Sequence, residues 1–76
     1  MQPELSSAQK SDAWWRGLAD VAAGDARRYA DQGAKRPAFI SARVAIKIYE
    51  RQGDPASLTA KQALLDYLFA RLGARP

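Results

Sequence analysis

Among the acidic side chains, Asp25 is the one whose position could carry chemistry. On a helical projection at about 100° per residue, it falls near the arc shared by Leu18, Val21 and Tyr29. A carboxyl group on an apolar face is where perturbed general acids and bases are found. The rest of a catalytic set is missing. No second carboxylate stands at a defined spacing from Asp25, and neither a phosphate-cradling loop nor a dinucleotide fingerprint occurs in the chain. The sequence has no histidine and no cysteine. Triads, thiolate nucleophiles and most proton shuttles are therefore closed to it, and so are the usual zinc sites. Asp25 reads instead as a local cap beside Gly24 or as an ion-pair partner of Arg28. The expectation is a protein that is not an enzyme and that uses no metal and no cofactor.

The bases are better organised. Between Arg27 and Arg51 stand seven basic residues, Arg27, Arg28, Lys35, Arg36, Arg43, Lys47 and Arg51, against the two acids Asp31 and Glu50. The net charge of the whole chain is only +4, so the two ends together are slightly acidic. Arg36, Arg43, Lys47 and Arg51 fall on one narrow arc of a helix. Such a stripe can neutralise phosphates, meet an acidic protein surface, or simply be the solvated face of a helix. Aromatic residues are not interleaved with it, and neither terminal segment forms a basic arm. Base-reading side chains do not accompany it. An acidic protein partner is therefore expected ahead of nucleic acid.

Trp14 and Trp15 are the second candidate binding feature. Neighbours on a helix point about 100° apart, so both reach a core only if the buried face is broad. Otherwise one of them faces a partner, where tryptophan is enriched among the residues that dominate binding.

Three helices are expected to position these residues. Residues 1–5 read as a loose leader, and Ser6-Ser7-Ala8-Gln9 fits a capping box with Ser6 as cap. Trp14, Leu18, Val21, Ala22 and Tyr29 then recur with helical spacing, with a kink possible at Gly24-Asp25 and a stop at Gly33. The second helix opens at Pro37, where the missing N–H costs nothing, and ends at Gly53 before Asp54-Pro55. Its apolar positions, from Phe39 and Ile40 through Val44, Ile46, Ile48 and Tyr49, cover about 200° once Ala42 and Ala45 are included. A surface helix needs little more than about 100°, so this helix is wedged between the other two or meets a second chain.

The third helix begins at Asp54 or at Thr59, where Leu58-Thr59-x-x-Gln62 gives another capping box with Leu58 as staple. Its expected inner face is Leu58, Leu65, Leu68, Phe69 and Leu72, and Gly73 ends it. The stretch Leu58-Thr59-x-x-Gln62-x-x-Leu65 resembles the opening helix of winged-helix DNA-binding domains. That resemblance implies a turn and a recognition helix downstream, for which residues 74–76, read as a frayed tail, leave no room. Tyr49 also occupies the place where a helix-turn-helix formed by the second and third helices needs a small residue.

The fold class expected is all-α, a small three-helix bundle or a helical hairpin with a short third helix, spanning residues 6–73 as one domain. A chain of 76 residues buries only about 60% of its unfolded surface, so the core is thin. Phe39, Val44, Ile48, Leu65 and Leu68 are expected in it. No apolar run reaches the length of about 20 residues that spans a bilayer, and Met1-Gln2-Pro3-Glu4 does not open a signal peptide. A cytoplasmic protein of bacterial, phage or plasmid origin is expected, the origin from its arginine and alanine usage. The function expected is a non-catalytic adaptor, inhibitor or regulator that binds protein through helical surfaces. The second expectation is a small basic nucleic-acid-binding regulator. Self-association as a dimer is expected in either case. The residues expected to carry binding are Trp14, Trp15, Arg36, Arg43, Lys47 and Arg51.

Overall fold

Ser11 sets the first helix: its Oγ accepts the N–H of Trp14 at 3.1 Å, satisfying one of the donors that a helix start leaves unpaired. The structure, a computed structural model, describes residues 10–76. In it α1 spans Asp12–Asp31, α2 spans Lys35–Gln52 and α3 spans Pro55–Leu72. The capping box expected at Ser6–Gln9 and the leader at residues 1–5 lie outside the described residues. Helix α1 runs through Gly24 and Asp25 without a break. Helix α2 opens two residues before Pro37, which leaves the proline in the first turn, where it forfeits no hydrogen bond. Helix α3 is capped by Asp54, whose carboxylate accepts the N–H of Ser57 at 3.2 Å, with Pro55 at the first helical position. Thr59 therefore lies inside the helix and caps nothing. Gly53 and Gly73 close α2 and α3 at φ 68°. In that left-handed backbone their N–H groups reach back to the carbonyls of Tyr49 and Phe69.

The fold is a three-helix bundle, and the third helix is as long as the second, 18 residues each. Helices α1 and α2 form an antiparallel hairpin closed by the turn at 32–34. Their mutual seam is made of small residues: Ala19, Ala22, Ala23, Ala26 and Ala30 on one side, Ala38, Ala42 and Ala45 on the other, all buried. Alanine has the highest helix propensity and no bulk, so the two backbones approach closely. Helix α3 lies along one flank of this hairpin. Lys61 Nζ sits 2.7 Å from Glu50 Oε2 of α2, and the Tyr67 hydroxyl donates to Asp31 Oδ1 of α1 at 2.6 Å. Leu64 and Leu68 point from α3 into the hairpin and are fully buried, and Ile48 and Tyr49 complete the core.

Several expected faces turn out rotated. On α1 the inner face is the alanine set. Trp14, Leu18 and Val21 are exposed, Val21 to 64%. On α3 the inner face is Ser57, Leu64 and Leu68. Leu58 and Phe69 face outward, while Leu65 is half-buried. Of the expected core, Ile48 and Leu68 are buried and Phe39 packs against the core from its edge. Val44 is not in the core: it is 45% exposed. The alanine seam explains the rotation. With methyl groups along most of their seam, α1 and α2 have no space there for Val44 or Leu18, and these larger residues are displaced to the flanks. Helix α2 is therefore not wedged deeply enough to bury its whole apolar arc.

Candidate functional site

The outer face of α2 carries the four basic residues singled out by their spacing. Arg36, Arg43, Lys47 and Arg51 are all exposed. Among the described residues none of them makes an ion pair. Four carboxylates elsewhere are engaged by other bases. Asp54 pairs with Arg16 at 2.9 Å, Asp25 with Arg28 at 2.6 Å, Glu50 with Lys61 at 2.7 Å and Asp31 with Arg71 at 2.9 Å. The four α2 bases are thus surplus positive charge. Lys35 and Arg36 also stand in the first turn of α2, which holds no acid. There the helix dipole disfavours a cation by about 0.3–1 kcal/mol.

The basic face is not purely polar. Ile40, 57% exposed, and Val44 fall within the same arc of roughly 100° as the four bases. This face presents branched aliphatic side chains framed by guanidinium and ammonium groups.

The two tryptophans lie at one end of the hairpin, near the C-terminal half of α2. Their rings are 5.0 Å apart at 88°, an edge-to-face pair. Trp14 is 45% exposed, with Lys10 Nζ 3.9 Å above its ring. Trp15 packs against the core. It also lines a surface cleft of about 700 Å³ with Lys10, Asp12, Lys47, Ile48, Arg51 and Gln52. The structure therefore brings Trp15, Lys47 and Arg51 together around one cleft. Arg36 and Arg43 share the face of α2 but not the cleft.

One polar cluster escaped the sequence reading. Ser57 is fully buried. Its hydroxyl donates to Asp54 Oδ1 at 2.5 Å and accepts from the Arg16 guanidinium. Arg16 also donates from Nε to Gln52 Oε1 at 2.9 Å and from Nη2 to both Asp54 oxygens. Gln52 Nε2 in turn donates to the carbonyl of Asp12 at 2.7 Å. The Ser57 hydroxyl first, and Arg16 with it, hold the Asp54 carboxyl down at about 2. This knot ties the start of α1 to the α2–α3 turn. Among the described residues no buried side-chain polar atom lacks a partner, and the bonds of this knot run within the protein, which marks it as structural. Its only sequence signal is the three-residue spacing of Asp54 and Ser57, the spacing of a helix cap.

Asp25 is partly exposed and bonded to Arg28, the ion pair that its neighbour suggests. Among the described residues, no group of three or more carboxylates gathers where a metal could be held, and no helix is long and apolar enough to cross a membrane. Comparison with protein families, with curated proteins and with solved structures finds no match to the chain.

Proposed function

We propose that this domain is a non-catalytic binding module that engages an acidic protein surface through the outer face of α2. The observation that carries this reading is the composition of that face: four bases without an ion-pair partner among the described residues, framing the exposed Ile40 and Val44. Unpaired bases attract an anionic partner and speed its encounter. Exposed aliphatic residues gain nothing against a phosphate backbone but are buried at the centre of a protein interface. The two cations tolerated in the first turn of α2 fit the same reading, because a bound carboxylate would relieve their unfavourable position on the helix dipole. Regulation by sequestering or recruiting that partner is the corresponding role.

The competing role, nucleic-acid binding, is tested by anisotropy titrations of the chain against random and genomic duplex DNA at two salt concentrations. Three or four phosphate contacts would give a log–log salt slope of about 3. The expected result is weak, sequence-independent DNA binding at physiological salt. Alongside it, affinity capture from extract should retain an acidic protein on the wild-type chain and lose it on the Arg43→Glu, Lys47→Glu double variant. Tight, sequence-dependent DNA binding that this variant abolishes would reverse the assignment.

A further inference from the structure

The α1–α2 hairpin has two flanks, and α3 covers only one. On a projection of α1, the residues that meet α3 or its capping turn, Arg16, Arg27 and Asp31, lie on one side of the alanine seam. Leu18 and Val21 lie on the other. On α2, Glu50, which meets Lys61 of α3, lies on one side of the seam, and Val44 and Ile48 lie on the opposite side. The uncovered flank is thus a trough running along the hairpin. Trp14 and Leu18 line its α1 wall at the i, i+4 spacing of one helix face, with Val21 at the outer edge, and Val44 and Ile48 line its α2 wall. Four of those five are exposed. The cleft shared by Trp15, Lys47, Ile48 and Arg51 is the end of this trough nearest the tryptophans.

We infer that this trough is the seat of one amphipathic helix from a partner protein, apolar on the side it presents and acidic along the edge that meets α2. The inference rests on the protein-binding reading of α2 and names the form of the partner. Two observations select that form. First, the opposite trough of the same hairpin already holds a helix: α3 inserts Leu64 and Leu68 there, so a trough between these two helices accepts a third. Second, the α2 rim of the open trough carries Lys47 and Arg51, with Lys10 at its tryptophan end, and none of the three is ion-paired among the described residues. A second copy of this chain answers those charges poorly: Asp25 on its own trough wall is held by Arg28, and Asp12 already stands in the same cleft as Lys10, Lys47 and Arg51, one acid among three bases. A helix with Glu or Asp beside its apolar stripe answers them directly, in the helix-in-groove mode.

Trp14 and Trp15 are the only tryptophans in the chain and both stand at this trough, so their fluorescence reports its occupancy. The probe is a tryptophan-free synthetic amphipathic peptide of the length of α3, with leucines on one face and glutamates beside them. A second peptide carries lysine in place of each glutamate. The expected result is a saturable blue shift of tryptophan emission with the acidic peptide alone. Val44→Asp and, separately, Leu18→Asp should weaken binding tenfold or more, with far-UV circular dichroism unchanged because both residues are exposed. Lys47→Glu with Arg51→Glu should transfer preference to the lysine peptide. No shift with either peptide overturns the inference, and so does equal binding of both. Sedimentation of the free chain near twice 8.3 kDa, abolished by Val44→Asp, gives the trough to a second copy. Binding that survives Val44→Asp and Leu18→Asp but is lost on charge reversal removes the trough while leaving the basic face in place. That outcome is distinct from tight DNA binding, which removes the basic-face reading itself.

Discussion

The phenolic hydroxyl of Tyr49 donates to Asp20 Oδ1 at 2.6 Å, across the seam from the buried side of α2 to the flank of α1. The Tyr49 ring is 2% exposed. Burial first, and the Asp20 carboxylate second, push its phenol up to about 12. Folding therefore favours the neutral phenol. The stability this contributes is complete below the ordinary tyrosine value of about 10 and is lost as pH rises through about 12. Tyr49→Phe keeps the ring and drops the bond, at an expected cost of about 1–2 kcal/mol. It should also remove the highest-pH step from an absorbance titration at 295 nm. An unchanged titration would mean that the phenol is not held by Asp20.

At the other end of the pH scale the knot around Ser57 should be visible. Asp54 is depressed to about 2, so its contribution is present above the unfolded value of about 3.9 and fades as pH falls toward about 2. Asp54→Asn preserves a capping oxygen but cannot titrate. Acid unfolding followed by circular dichroism should be shallower between about pH 4 and 2 in that variant. Ser57→Ala, which removes only the hydroxyl, leaves Arg16 and Asp54 short of one partner and should destabilise by about 1–3 kcal/mol.

Helix α3 offers a direct test of its rotation. Leu68 is fully buried, whereas Phe69 is 52% exposed. Leu68→Ala should cost about 2–5 kcal/mol, enough to unfold a domain with so small a core. Phe69→Ala should fall nearer the range of surface changes, about 0.5 kcal/mol. Melting temperatures in the reverse order would place the opposite face of α3 against the hairpin.

Gly17 and Gly24 sit inside α1 at exposed positions, and a Cβ built on either meets nothing within 4 Å. Each lowers helix stability by about 0.5–1 kcal/mol relative to alanine. Gly17→Ala and Gly24→Ala should each raise the melting temperature by several degrees, at about 4–8 °C per kcal/mol for a domain of this size. A drop on either substitution would indicate that α1 bends there.

The number of helices and their C-terminal stops could be read from the sequence because they depend on local chemistry, whereas the cap of α1, expected at Ser6, is Ser11, and α2 opens at Lys35 rather than Pro37. Gly33, Gly53 and Gly73 each take positive φ, and Asp54-Pro55 has the residue types that favour a helix opening. The faces were harder to read. Helix α3 has leucine or phenylalanine at positions 58, 64, 65, 68, 69 and 72, an arc of about 140° on a helical projection, and its inner face of Ser57, Leu64 and Leu68 lies at one edge of that arc rather than at its centre. What selects that edge is Ser57, drawn inward by Arg16 from 41 residues away. A projection that scores large apolar residues also looks past alanine, and so Trp14, Leu18 and Val21 took the place of the true inner face of α1. The bases of α2 were legible because a stripe of charge on a helix has nowhere to go but outward. That they have no ion-pair partners among the described residues was not legible, since it depends on where the acids of α1 and α3 come to rest.

The alanine seam has a further consequence, for tolerance to change. Its eight side chains have no rotamers to freeze on folding, and they set the distance between two helix axes by the radius of a methyl group. A residue that adds even one methylene there acts as a spacer, prising α1 from α2 and pulling Arg16 away from Gln52 and Tyr49 away from Asp20 together. Substitution inward from solvent should thus be inverted relative to most domains: the outer leucines and valines can shrink with little effect on folding, while the interior cannot grow.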